Sequence, residues 1–148
     1  MKIPDMYGKA NEMYSGRNEL SKKNKYYISK YRFLELKYFC LQYPEFKSKY
    51  EAVTYYPSYK LNCEIHTHHT IDHIFNIVEE REQFRKKMDI IEQSCIAADP
   101  DIYPWILKSV TQGISFQNLW DIPCCKDTFY DRYHKFFWLL SQKLQGFL

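Results

Sequence analysis

Glycine is scarce in this chain of 148 residues, which has four of them. So few glycines leave little scope for the backbone nests that cradle phosphate. No Walker A run, no G-x-G-x-x-G and no G-x-S-x-G occurs, which removes the main nucleotide-loop and hydrolase-elbow classes. No enzymatic activity and no cofactor are therefore expected. Long hydrophobic runs are also missing. No segment approaches the roughly 18 consecutive apolar residues of a membrane span, so no membrane partner is expected. The first twenty residues lack the apolar stretch of a secretory signal. Cysteines number five, an odd count with no C-x-x-C pair. Cys124-Cys125 is too close-spaced for such a redox motif. The simplest expectation is a cytoplasmic chain whose reduced thiols serve as small buried apolar residues.

Aromatic residues and unevenly placed charge fill the space these absences leave. There are 14 Tyr and 10 Phe. Tyrosine supplies apolar bulk with a polar tip, so helices rich in it can sit half buried. The formal net charge is only +3, but its distribution is asymmetric. Residues 1–60 carry 12 Lys and Arg against 6 acids, residues 61–100 carry 4 against 8, and residues 101–148 carry 5 against 4. The basic excess in the N-terminal part reads either as a solvated helix face or as a contact surface for a DNA backbone.

The pattern of breakers and apolar spacing predicts an all-α helical bundle with a C-terminal helix-turn-helix. Residues 1–20 hold Pro4, Gly8 and Gly16 with little periodicity and read as a flexible arm. Residues 21–98 form an N-terminal helical region. In it, Ser21 caps a helix running from Lys22 to Gln42. Pro44 then opens a short helix from Glu45 to Tyr55, with Phe46, Tyr50 and Val53 inward. The stretch from Pro57 to His69 is a loop or small hairpin, after which Thr70 serves as a partial cap. From Ile71 to Ala98 there is one long helix, or two with a bend, built on Ile74, Ile77, Val78, Phe84, Met88, Ile91 and Cys95. The charged run Glu79 to Lys87 should face water. Residues 99–148 form the helix-turn-helix region. Asp99-Pro100-Asp101 breaks the chain, and Asp101 caps a helix that carries Pro104 in its first turn and ends at Gly113.

The C-terminal unit carries the functional expectation. A short positioning helix starts at Ser115 and ends at Asp121, with Phe116 and Leu119 inward. Ile122-Pro123-Cys124 makes the turn, with Ile122 buried. A long helix begins near Lys126 and presents Phe129, Tyr133, Phe136 and Leu140 on one face, broadened by Phe137 and Leu144. In a DNA-binding helix-turn-helix the second helix enters the major groove by its N-terminal turns. Lys126, Thr128, Tyr130, Arg132 and Lys135 are residue types that reach phosphates and base edges. The plain alternative is a helical hairpin with no ligand. Asp127 and Asp131 would repel phosphate unless paired with neighbouring cations.

Cys63, His66, His68, His69 and His73 fall within eleven residues. His69 and His73 have the i, i+4 spacing of a metal pair on one helix face, which Cys63 and His66 would complete. No standard finger spacing accompanies them. A polar loop running into a helix start is the preferred reading, without bound metal. A metal-dependent nuclease or structural zinc protein is the weaker option.

The run ISFQNLWDIPCCKDTFYDRYHKFFWLLSQKL resembles the C-terminal segment of phage-encoded transcriptional regulators of the ArpU and RinA kind. The shared features are Gly113, Ile122-Pro123, Asp127-Thr128-Phe129-Tyr130 and the stretch Arg132 to Leu140. EQSCIAADPDIYPWILKSVTQG and SKKNKYYISKYRFLELKYFCLQYPEFKSKY are similar to prophage reading frames of the same group. The resemblance spans about three quarters of the chain. It implies a late-gene activator whose helix-turn-helix is like region 4 of sigma factors, acting on double-stranded DNA in the cytoplasm of a bacterial host. Host RNA polymerase and a homodimer partner are compatible with it. Two departures stand out: Cys124-Cys125 replaces a polar pair in the turn, and His134 stands where a second Arg is expected. The alternative is a small phage protein that binds and modulates a host protein, either RNA polymerase or a defence nuclease.

Overall fold

Residues 21–54 and 68–146 are described by the computed structural model. They form five α-helices and no strand: α1 (Lys30–Leu41), α2 (Tyr43–Thr54), α3 (His68–Ala98), α4 (Tyr103–Gln112) and α5 (Lys126–Gln145). The expected all-α architecture is present. The arm at residues 1–20 and residues 57–67 of the expected loop or hairpin lie outside the described residues; the last two residues of that stretch, His68 and His69, are not loop but the start of α3.

The first helix starts later than its apolar spacing predicts. Ser29, not Ser21, is its N-cap, and the Arg32 N–H donates to Ser29 Oγ at 3.4 Å. The preceding residues fold into turns held by Ser21 and Asn24, whose side chains accept from Lys23 N–H and Tyr26 N–H. Short polar side chains compete with the helix for backbone donors, and at these two positions they win. Pro44 lies in the first turn of α2, as expected. Only Gln42, itself in the right-handed helical conformation, separates α1 from α2.

Helix α3 is one continuous element of 31 residues, about 46 Å long. Thr70 therefore lies inside the helix and does not cap it. Helices α2, α4 and α5 all pack on α3, while α1 rests on α4 and α5. The C-terminal half of α3 is core, with Met88, Ile91, Cys95 and Ala98 buried. In its N-terminal half the expected Ile74 and Ile77 are half-buried, whereas Val78 is 58% exposed; Phe75, outside the expected pattern, is 72% exposed.

The charged run on α3 is not wholly solvated either. Arg81 donates to Tyr50 Oη at 3.1 Å, and its guanidinium lies 4.7 Å from that ring. Lys87 Nζ sits 5.1 Å from the Phe46 ring, and Lys49 Nζ 5.5 Å from that of Phe84. Phe46 and Phe84 stack between α2 and α3. Long cationic side chains cover these rings with their stems while the heads meet the π faces. On the outer side of α3, Arg85 pairs with Glu82 and Asp89.

At the α3–α4 corner the Asp99 carboxylate accepts from Asp101 N–H at 2.9 Å. Asp101 does not cap α4. The N-cap is buried Ile102, with no side-chain hydrogen bond. An Asx turn at Asp99 already redirects the chain there, and Pro104 in the first turn of α4 has no N–H to be capped. Gly113 ends α4 in the left-handed conformation, φ 69°, and donates to Ser109 O.

Helix α5 supplies the largest part of the core. Phe129, Tyr133, Phe136, Phe137, Leu140 and Leu144 are all buried, as the sequence spacing predicts. Each fully buried Phe contributes about 1.5–3 kcal/mol. The far end of α5 is tied to α1: Arg32 donates to Ser141 Oγ at 3.1 Å and to the Ser141 carbonyl at 3.2 Å, and Tyr26 packs on Trp138.

Candidate nucleic-acid interface

The segment leading into α5 departs from the expected positioning helix. Only Phe116–Asn118 is helical, as a single 3-10 turn closed by Asn118 N–H to Ser115 O and Leu119 N–H to Phe116 O. Ser115 Oγ accepts from the side-chain amide of Asn118, at 3.2 Å, and caps no backbone donor. Two features hold the chain out of a longer helix. The Trp105 indole donates to the Trp120 carbonyl at 2.9 Å, and Asp121 takes the left-handed conformation, φ 57°. Leu119 is buried and Ile122 half-buried, so this loop is pinned at both ends. The C-terminal unit is thus α4, a structured loop and α5.

Cys125 is the N-cap of α5, and Phe129 N–H donates to its carbonyl. The Cys125 thiol lies 3.2 Å from the Thr128 hydroxyl, which lowers its pKa. Burial raises that of neighbouring Cys124.

The five residues expected to touch DNA share the first turns of α5, in different environments. Thr128 is exposed, and Lys126 and Lys135 are half-exposed. Neither lysine has an ion-pair partner within 4 Å among the described residues. Tyr130 is half-buried, its ring 5.3 Å from Phe129 and 5.8 Å from Tyr133. With Lys37, Ser109, Tyr133 and Phe137 it lines a cavity of about 170 Å³. Arg132 is engaged within the fold. Its Nε is 3.3 Å from Asp99 Oδ2, without hydrogen-bond alignment, and its Nη1 is 3.6 Å from Asp131. The pairing that the sequence demanded for Asp131 is therefore present, through Arg132.

His134, which stands in place of an expected Arg, is buried and edge-on to Tyr133. Burial lowers its pKa, opposed by the Asp131 charge. It belongs to the core and does not face solvent with the lysines.

Two features at this end of the molecule escaped the sequence pattern. Trp120 is 82% exposed, although its backbone is fixed. Asp99 reaches back to α5. The signal for Asp99 was its place in a breaker, which reveals a turn but not a long-range partner.

The basic N-terminal residues Lys22, Lys23, Lys25 and Lys30 are all exposed. They lie near the opposite end of α5, where Arg32 meets Ser141. Residues 126 and 141 are separated by about 22 Å of helix rise. Of the histidine cluster, Cys63 and His66 lie outside the described residues, as does the side chain of His69, and His73 is exposed. Among the described residues no group of three or more His, Cys, Asp or Glu is placed to hold a metal ion. Also among them, no helix is long and apolar enough to cross a membrane. Comparison with known proteins finds no matching family model, no similar curated protein and no similar solved structure.

Proposed function

We propose that the chain is a sequence-specific DNA-binding transcriptional regulator of the phage or prophage type, reading duplex DNA with the first turns of α5. The supporting observation is how that helix is mounted. Its inner face is locked by an aromatic core, while Lys126, Thr128 and Lys135 are presented without internal ionic partners among the described residues. A rigid helix with solvent-facing donors in its first turns suits groove readout. In this reading Lys126 and Lys135 meet phosphates, and Thr128 and the Tyr130 hydroxyl reach base edges. Arg132 exchanges Asp99 for guanine or phosphate. The resemblance to ArpU- and RinA-type regulators supports the same assignment. Binding as a homodimer to paired half-sites, with host RNA polymerase as a further partner, accords with it.

The test is the double variant Lys126→Ala, Arg132→Ala, assayed on a selected duplex. Its affinity should fall at least about tenfold with helicity unchanged. Unchanged affinity rejects this helix as the reader.

A second reading, a module that binds a host protein, is favoured by one feature. Trp120 projects into solvent from the loop before α5, its carbonyl bound by the Trp105 indole, and tryptophan is among the residues that most often anchor protein interfaces. Salt separates the two readings: phosphate contacts weaken steeply with salt, and an apolar anchor does not.

A further inference from the structure

Helix α1 carries two tyrosine rings that project outward. Tyr31 is 81% exposed and Tyr38 is 60% exposed. They are seven residues apart, two helical turns or about 10.5 Å, on the side opposite buried Leu36 and Cys40. Tyr27, just before the helix, is 36% exposed. Residues 21–42 contain six Lys and Arg and a single acid, Glu35. Lys22, Lys23, Lys25 and Lys30 are exposed and make no ion pair among the described residues. Glu35 lies between the two rings on the same face, and its carboxylate is 2.8 Å from Arg32 Nη1, which offsets its charge.

We propose that this face of α1 and the turns before it bind single-stranded nucleic acid, with bases stacked on Tyr31 and Tyr38 and phosphates met by Lys22, Lys23 and Lys30. The protruding rings decide between single strand and duplex. A duplex offers only base edges in its grooves, because its base faces are stacked on one another. A single strand offers both an anionic backbone and free π faces, the pair of features this surface matches. Its lysines lie towards the other end of α5 from Lys126, while α1 runs back along α5 so that Lys37, next to Tyr38, shares a cavity with Tyr130; the proposal does not rest on duplex reading by α5.

The test is fluorescence anisotropy of a labelled oligothymidylate with the full chain at low salt. Wild-type protein should bind it. The variant Tyr31→Ala, Tyr38→Ala should bind on the order of tenfold or more weakly, whereas Tyr31→Phe, Tyr38→Phe should keep its affinity, since stacking needs the ring and not the hydroxyl. Removing Lys22, Lys23 and Lys30 should reduce the salt slope by about 0.7 per lysine. Both rings are exposed, so the alanine variant should retain its fold, which circular dichroism checks. No binding by the wild type, or equal binding by the alanine variant, overturns the proposal. Oligothymidylate binding without duplex selection would sink the α5 reading alone, and the converse would sink this one alone.

Discussion

Arg132 of α5 and Asp99 at the end of α3 stand 3.3 Å apart, so the one arginine on the candidate reading face is held by the protein itself. Both side chains are partly solvated, and such pairs contribute about 0–1 kcal/mol. The pair therefore matters more to where the guanidinium points than to stability. Asp99→Asn should free Arg132 and remove a charge that repels phosphate. The expected outcome is a several-fold gain in duplex affinity at low salt, with little change in the urea midpoint. A loss of affinity would mean that Asp99 positions Arg132 productively.

Phe136 is fully buried in the core beneath α5. Phe136→Ala should cost about 3–5 kcal/mol, the range for truncating a core aromatic. Urea unfolding measures it. A cost below about 1 kcal/mol would place the ring outside the core, since large losses come from core truncation.

Gly113 adopts φ 69° at the end of α4. A Cβ added there would lie 3.6 Å from Leu41 Cδ2, an ordinary contact, so crowding is not the obstacle. The left-handed conformation costs an L-residue roughly 1–2 kcal/mol. Gly113→Ala should destabilise by about that amount, and Gly113→Asn by less, because Asn tolerates this region better. Equal stability of all three proteins would show that the turn relaxes.

His134 yields a pH prediction. Burial holds its pKa below the ordinary 6.5. As the pH falls below that value the unfolded chain takes up the proton before the folded chain does. Stability contributed by neutral His134 is thus complete above about pH 6.5 and declines as the pH falls towards its folded-state pKa. Denaturation midpoints from pH 7.5 down to pH 5 should decline, and His134→Gln should flatten that decline. An unchanged slope in the variant would assign it to other groups.

Much of this architecture could be read from the sequence, and the parts that could not have physical reasons. The periodic apolar residues of α5 all reached the core, because a long helix of fixed period leaves its stripe little choice. Gly113 and Pro44 acted as expected because their backbone limits are local. The failures were tertiary. The segment from Ser115 to Asp121 has helix-compatible residues, but the Trp105 indole claims the Trp120 carbonyl and Asp121 turns left-handed. Arg81 and Lys87 looked solvated until the rings of α2 came to meet them. Within the candidate site, the polar types of Lys126, Thr128 and Lys135 could be read from the sequence, and all three keep solvent exposure, but helical spacing sets Lys126 on the opposite side of α5 from Thr128 and Lys135. The capture of Arg132 by Asp99 could not be read there, because the partner is 33 residues away in sequence.

The most direct test of duplex reading by α5 is selection of bound duplexes from a random DNA pool, repeated at low and high salt. The account predicts an enriched motif whose affinity falls with rising salt and is lost in the Lys126→Ala, Arg132→Ala protein. No enrichment, or enrichment that survives that double substitution, would contradict it.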